Sequence, residues 1–343
     1  MIVPGMGIKQ FSISGVVSRY TVITRNIGLL KFVLHHLPLI LFLKTFMITP
    51  PALRRGDRIG IVAPARKISE EELRPSLEII RDWGLEPVTG KHVYGSCNQF
   101  SGTDEERARD LQSMLDDDSV KAVLCARGGY GMLRIIDRLD FSCFYKNPKW
   151  LAGYSDVTVL HSHVHHNFGI ETIHSTMPVN FMKSPATVET LRKALFGEKL
   201  SYSFSSHPMS REGEARGIFT GGNLSLLYAL SGSRSDISTE GKVLFIEDID
   251  EYLYHLDRMM LNMKRSGKLS KLAGLVVGGM TDMKDNTIPY GRTAEAIIMD
   301  AVREYSYPVG LGFPAGHIDN NFALVMGGEV SLSVGSRPQL RFL

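Results

Sequence analysis

Cysteine is scarce. The 343 residues hold three, Cys97, Cys125 and Cys143. They show neither close pairing nor zinc-site spacing, which excludes a disulfide-stapled fold and a cysteine-built metal centre. They read as reduced, mostly buried thiols that favour a reducing compartment. An excess of one charge sign is also missing. The formal net charge is +3, and no basic run with interleaved aromatics occurs. Nucleic acid and anionic membrane are therefore not expected partners. No Gly-x-x-x-x-Gly-Lys-Ser/Thr and no Gly-x-Gly-x-x-Gly follows the first strand, which argues against a phosphate loop. His-Glu-x-x-His is absent, and no motif asks for a cofactor. Long clean apolar runs are lacking too. Leu29–Phe46 is strongly apolar, but Lys31, His35, His36 and Pro38 interrupt it. A good transmembrane helix wants about 20 mostly apolar residues. There is no internal repeat or low-complexity tract.

What is present is an ordinary globular composition, 43% hydrophobic and 22% charged. Its length suggests about two domains. Residues 1–46 differ from the rest. They carry Lys9, Arg19, Arg25 and Lys31 and no acid. Three readings are open: a poor membrane anchor, a divergent export signal without small residues at a cleavage site, or sequence upstream of the true start. The last is favoured, because Met47-Ile48-Thr49-Pro50-Pro51 looks like a natural beginning. Residues 1–46 are expected to lie outside the fold. Membrane association is not expected.

From there strands alternate with helices. Ile59–Pro64 is an apolar strand. Ser69 and Glu72 form a capping box before a helix that Gly84 ends, with Pro75 inside it. A strand near Glu86–Thr89 follows. Thr103 and Glu106 form a second box for a helix through Leu115. Val120–Ala126 is a buried strand that runs into Arg127-Gly128-Gly129-Tyr130-Gly131, then a helix near Leu133–Leu139. Trp150-Leu151-Ala152 is the next strand. It turns sharply at Gly153, and Val157, Leu160 and Val164 follow at helical spacing. Such alternation predicts a parallel α/β sheet, with ligands at the carboxyl ends of its strands. Around 183–211 polar residues accumulate (Ser201, Ser203, Ser205, Ser206), and a linker or an interdomain excursion is expected. A second region, 212–343, contains strands at Ala215–Phe219, Val243–Ile246 and Leu272–Val277. Its helices are expected after Gly221-Gly222-Asn223, at Tyr254–Lys264 and at Arg292–Glu304, and its last forty residues are strand-rich.

Four polar clusters stand where apolar strands end. The Gly128-Gly129 loop can bring backbone N–H groups close to a ligand, or can be a tight turn. Ser155, in Gly153-Tyr154-Ser155-Asp156, sits at a strand–turn–helix corner that follows the logic of a nucleophile elbow. Val157 stands where that motif has its last glycine, and a plain turn serine is the alternative. Glu247 opens an acidic run after a buried strand. Metal binding, a solvated helix start and a carboxylate that orients a histidine are all compatible with it. His317 lies on a stiff Gly/Pro loop, Gly312-Phe313-Pro314-Ala315-Gly316-His317, and taken singly would be a surface residue. His161, His163, His165 and His166 invite a metal hypothesis. No acidic third ligand lies nearby, so they are better read as paving a helix surface or a domain contact. Serine, glutamate and histidine thus stand ready as nucleophile, orienter and base.

These pieces together resemble the LD-carboxypeptidases, the murein tetrapeptide carboxypeptidases of serine peptidase family S66. The matching stretches are Gly56–Pro64, Phe100–Arg107, Arg127–Gly131, Gly153–Asp156, Gly221–Leu224, Glu247-Asp248 and Gly316-His317. The resemblance implies Ser155 as nucleophile, Glu247 as orienting acid and His317 as base, with no metal. It implies an oxyanion hole from backbone N–H groups at Gly129 and Asp156. It further implies an N-terminal α/β domain (47–182) and a smaller β-rich C-terminal domain (212–343), with the active site between them. The activity implied is release of terminal D-alanine from cytoplasmic muropeptide tetrapeptides during wall recycling, by a homodimer. A self-immunity peptidase that cleaves a peptide–nucleotide antibiotic, or a non-catalytic muropeptide-binding protein, is the alternative. One departure bears on substrate. Ser175-Thr176-Met177 stands where the family usually has Gly-Pro-Met, in a segment expected to shape the pocket.

Overall fold

In a computed structural model, residues 47–343 are described; the expectation for residues 1–46 lies outside them. The apolar run after Asp57 forms β1 (Arg58–Val62). The Ser69 capping box starts α1 (Glu70–Asp82), which carries Pro75 inside it as its sixth residue, so one N–H is missing from its ladder. β2 (Glu86–Thr89) follows, and the Thr103 capping box opens α2 (Asp104–Asp116). β3 (Val120–Cys125) leads to two short helices, α3 (Met132–Ile135) and α4 (Ser142–Lys146). Next come β4 (Trp150–Gly153), α5 (Thr158–Phe168) and β5 (Thr172–His174).

The chain continues through α6 (Pro185–Leu195), β6 (Ser201–Ser203), the long β7 (Gly213–Asn223) and α7 (Leu224–Ala229). β8 (Val243–Ile249), α8 (Leu253–Arg265), β9 (Gly274–Thr281), α9 (Ala294–Ala301) and β10 (Val309–Leu311) form a second α/β run. β11 (Leu324–Met326), β12 (Glu329–Val334) and β13 (Gln339–Phe342) end it.

Two sheets result. One has the order β11-β5-β4-β3-β1-β2 and the other β10-β9-β8-β7-β12-β13-β6. In the first, β5, β4, β3, β1 and β2 are parallel, as the strand–helix alternation predicts. The second is parallel from β10 to β7 and antiparallel from β7 to β6. Val243, Leu244, Phe245 and Ile246 are all fully buried in β8. Each is worth roughly 1.5–3 kcal/mol relative to exposure, so that strand is held firmly.

Two features differ from expectation. Residues 183–211 are not a bare linker, since they contain α6 and β6. Val188, Leu191 and Leu195 of α6 are buried in the core, and so is Tyr202 of β6, whose hydroxyl donates to the Ala323 carbonyl (2.6 Å). Serines on either side of Tyr202 face outward, the period-2 pattern of an edge strand. The first sheet is also completed from the far end of the sequence. β11 pairs antiparallel with β5, Leu324 opposite His174.

Candidate active site

β4 is buried along its whole length and delivers the chain to a corner at its carboxyl end. Ser155 takes φ +64 there, a left-handed conformation rare for a non-glycine residue. Holding such a residue costs on the order of 1–3 kcal/mol, and strain of this kind clusters at functional sites. A single 3-10 turn, Ser155–Val157, then runs into α5. The Gly128-Gly129 loop covers the serine. A Cβ on Gly128 would lie 3.1 Å from the Ser155 Cβ, and Gly129 takes φ +117. Only glycines allow this approach. Two buried groups hold the loop. Asp156 Oδ2 accepts from the Met132 N–H at 2.7 Å. The fully buried Arg107 donates to the carbonyls of Pro64 and Gly131. Burial pushes the Asp156 carboxyl up to about 6, against the Met132 and Gly131 N–H groups and Arg107, which pull it down.

Glu247 comes from β8 of the other sheet. The register between β8 and β9 shifts between Ile246 and Asp248, so Glu247 occupies an irregularity that re-aims its side chain. The side chain is wholly buried, and its Oε2 lies 2.6 Å from His317 Nδ1. The same oxygen accepts from the His317 backbone N–H at 3.1 Å. His317 Nε2 lies 3.0 Å from Ser155 Oγ. The histidine loop is pinned from behind, where Asn321 Oδ1 accepts from the Gly316 N–H (2.8 Å) and lies 3.1 Å from His174 Nε2. The Tyr154 ring packs on the imidazole, with centroids 4.9 Å apart.

Burial alone would lower the His317 pKa. The charge of Glu247 and its hydrogen bond outweigh that and hold it above the ordinary imidazole value. Burial works to raise Glu247, but the charge and hydrogen bond of His317 prevail and keep it ionised. With Glu247 on Nδ1, the neutral imidazole carries its proton there and presents a bare Nε2 to the serine hydroxyl. Hydroxyl, imidazole and buried carboxylate in line form a geometry that can activate an oxygen nucleophile.

The three residues singled out from three distant stretches therefore meet. The other acids of the run do different work. Asp248 accepts from Asn223 Nδ2 (2.9 Å) and the Ser225 N–H (2.8 Å), at the start of α7. Glu251 pairs with His255 at 2.5 Å. The histidines of α5 do not converge. His161 Nε2 lies 2.9 Å from the Gly153 carbonyl, His163 Nδ1 2.9 Å from Ser235 Oγ, and His165 Nε2 2.9 Å from Lys242 Nζ. These three are buried rather than paving a surface, and two of them tie α5 to the second half of the chain. Among the described residues no group of three or more His, Cys, Asp or Glu could hold a metal ion. Met177 lines the cleft beside Ser155, and Thr176 lines the adjoining cavity. Sequence reasoning missed Tyr154, Asn321 and His174 as neighbours of the site. Asn321, four residues after His317 in a Gly/Pro loop, offered the one local hint. A cavity of ≈ 710 Å³ lies elsewhere, at the amino ends of β3 and β4. Ligands of such sheets bind at the opposite ends, where Ser155 lies.

Two α/β sheets that bring a serine, a histidine and a buried glutamate into line define a serine hydrolase. Comparison with known proteins gives the family. Residues 59–175 match the LD-carboxypeptidase N-terminal domain and residues 216–332 the LD-carboxypeptidase C-terminal domain. The chain is 36% identical over 298 residues to a probable murein peptide carboxypeptidase of Bacillus subtilis, covering 84% of this chain and 92% of that one. Among solved structures it resembles a muramoyltetrapeptide carboxypeptidase from Oxalobacter formigenes (TM-score 0.75, 28% identity, 83% of this chain and 98% of that one). The microcin C7 self-immunity protein MccF shares the fold at 20% identity (TM-score 0.76, 87% and 98% covered). The chain belongs to the LD-carboxypeptidase family, and is a serine-type carboxypeptidase.

Proposed function

We propose that this enzyme hydrolyses the L,D peptide bond that releases terminal D-alanine from muropeptide tetrapeptides in peptidoglycan recycling, with Ser155, His317 and Glu247 as its catalytic triad. The observation that carries the reading is the unbroken line from Ser155 Oγ through His317 to Glu247 Oε2, at 3.0 and 2.6 Å. The relatives named for murein peptides supply the substrate class.

Ser155 Oγ attacks the scissile carbonyl while His317 Nε2 takes its proton. The carbonyl oxygen becomes an oxyanion beneath the Gly128-Gly129 loop, where the N–H groups of Gly129 and Asp156 receive it. Glu247 fixes the imidazole tautomer and stabilises its charge. His317 returns the proton to the departing amine of D-alanine, leaving the peptide as an ester on Ser155. Water, deprotonated by His317, attacks that ester and frees the serine. The free thiols Cys97, Cys125 and Cys143 support a cytoplasmic site of action. The family resemblance supports a homodimer, which sedimentation of the pure protein tests. MccF shares only the fold, so antibiotic cleavage is not carried over.

The test is D-alanine release from a purified muropeptide tetrapeptide. Wild type should release it, and Ser155→Ala should lose roughly 10⁴–10⁶ in turnover with the fold intact. Binding without release by the wild type would favour the non-catalytic alternative. Substantial turnover by a clean Ser155→Ala preparation would remove Ser155 as nucleophile.

A further inference from the structure

A carboxypeptidase must distinguish a free chain end from an internal peptide bond. The free carboxylate lies one residue beyond the scissile carbonyl, so covalent geometry keeps the two carbons within about 4 Å. The group that recognises the carboxylate must therefore stand at the rim of the oxyanion site itself. In the proposed mechanism that rim is the Gly128-Gly129 loop.

Three cations line the cleft and the cavity that adjoins it: Arg66, Arg127 and Lys183. Arg127 is committed, with its guanidinium on Glu72 Oε1 (3.0 Å) and the Lys67 carbonyl (3.3 Å). Lys183 lines the adjoining cavity, which Asp319 also lines and Gly129 does not. Arg66 differs from both. Its aliphatic stem lies directly on Gly129, where an added Cβ would fall 2.3 Å from its Cγ and Cδ. It shares the ≈ 350 Å³ cleft with Ser155 and His317. Among the described residues, its exposed guanidinium has neither a hydrogen bond nor an ion pair. Its backbone is nonetheless fixed, because the Arg66 N–H donates to the Gly128 carbonyl (3.3 Å). The planar fork of a guanidinium suits two-pronged binding of a carboxylate.

We propose that Arg66 is the specificity-determining residue that binds the terminal carboxylate of the substrate. This deepens the proposed function and rests on it. The nearby backbone N–H groups receive the carbonyl oxygen, and Arg66 receives the carboxylate one residue further on. A substrate without that charge, such as an internal peptide or a C-terminal amide, loses the contact.

The test compares kcat/KM of the full-length enzyme for a muropeptide tetrapeptide and for the same peptide ending in D-alaninamide. Wild type should prefer the free acid. Arg66→Met should lose about 10- to 100-fold on the acid, the range for a hydrogen bond to a charged partner, and little on the amide. Arg66→Lys should recover part of the preference. Lys183→Met should keep it. Thermal midpoints should match wild type, because methionine keeps an apolar stem on Gly129 and the Arg66 guanidinium holds nothing else in place. A wild type that cleaves acid and amide equally overturns the assignment, and so does an Arg66→Met that loses equally on both. Loss of preference in Lys183→Met instead moves the role to Lys183. In each of these cases cleavage persists and the proposed hydrolysis stands. A wild type that cleaves neither peptide sinks the functional reading and this inference together.

Discussion

Gly316→Ala tests how tightly the relay is held. Gly316 takes φ +103, and a Cβ there would lie 2.6 Å from Glu247 Oε2 and 2.7 Å from that residue's Cβ and Cγ. Glu247 cannot give way, being fully buried on a strand locked by its neighbours. The histidine loop must move instead. Reaching an ordinary 3.4 Å contact from 2.6 Å takes about 0.8 Å of displacement. The next residue is His317, bonded to the same oxygen through both its backbone N–H and Nδ1. Productive catalytic geometry tolerates about 0.5 Å, and a misplacement near 1 Å costs about 10²-fold. Turnover should therefore fall by up to about 10²-fold. The left-handed backbone adds a stability cost of about 1–2 kcal/mol. Gly312→Ala is the control, since Gly312 takes φ +78 with nothing within 4 Å of an added Cβ. It should show the backbone cost in its thermal midpoint while keeping near wild-type turnover. D-Alanine release and thermal unfolding of both variants decide the matter. A Gly316→Ala enzyme as active as Gly312→Ala would refute the claim that this contact sets the position of His317.

Two further outcomes follow from the relay. Glu247→Gln should lose up to about 10⁴ in turnover, the scale of a lost orienting acid, whereas Glu251→Gln should stay near wild type because Glu251 serves His255; steady-state kinetics on both variants separate them, and the reverse pattern would place the orienter on the helix side. His317 must be neutral to accept a proton, and its pKa is raised, so kcat/KM should climb with pH through a midpoint above the free imidazole value of about 6.5. NMR titration of the His317 ring in Glu247→Gln should show that midpoint lowered, and an unchanged midpoint would mean the carboxylate does not set it. The same shift makes protonated His317 stabilising. Its contribution is complete below the unfolded imidazole pKa and fades as pH rises through the folded value.

Local chemistry made much of the fold legible. Both capping boxes, at Ser69 and Thr103, open the helices they announce. The buried runs of β1, β3 and β8 are strands because four or more consecutive apolar residues require cover on both faces. The region 183–211 misled through its serines. Val188, Leu191 and Leu195 carried the helical period, and Tyr202 was the lone apolar residue of a three-residue strand. The pairing of β11 with β5 was not readable at all, since nothing local encodes a partner so distant in sequence. The triad divides in the same way. Residue types and strand-end positions marked Ser155, Glu247 and His317, but their convergence depends on two sheets meeting. Arg66 carried no signal, because a lone arginine in a loop acquires meaning only from the glycine it lies on.

The seating of β11 beside β5 also bears on synthesis. The strand that closes the sheet carrying Ser155 lies after the loop that carries His317. A nascent chain long enough to expose Ser155 still has an open edge at β5, and it has neither the histidine nor the strand that covers that edge. Such edges invite pairing with other chains. The first half is thus exposed to aggregation while it waits for the second. Cutting the chain near residue 182 should leave an insoluble fragment rather than an inactive domain. Chemistry and a finished sheet arrive together, once the last few dozen residues have emerged.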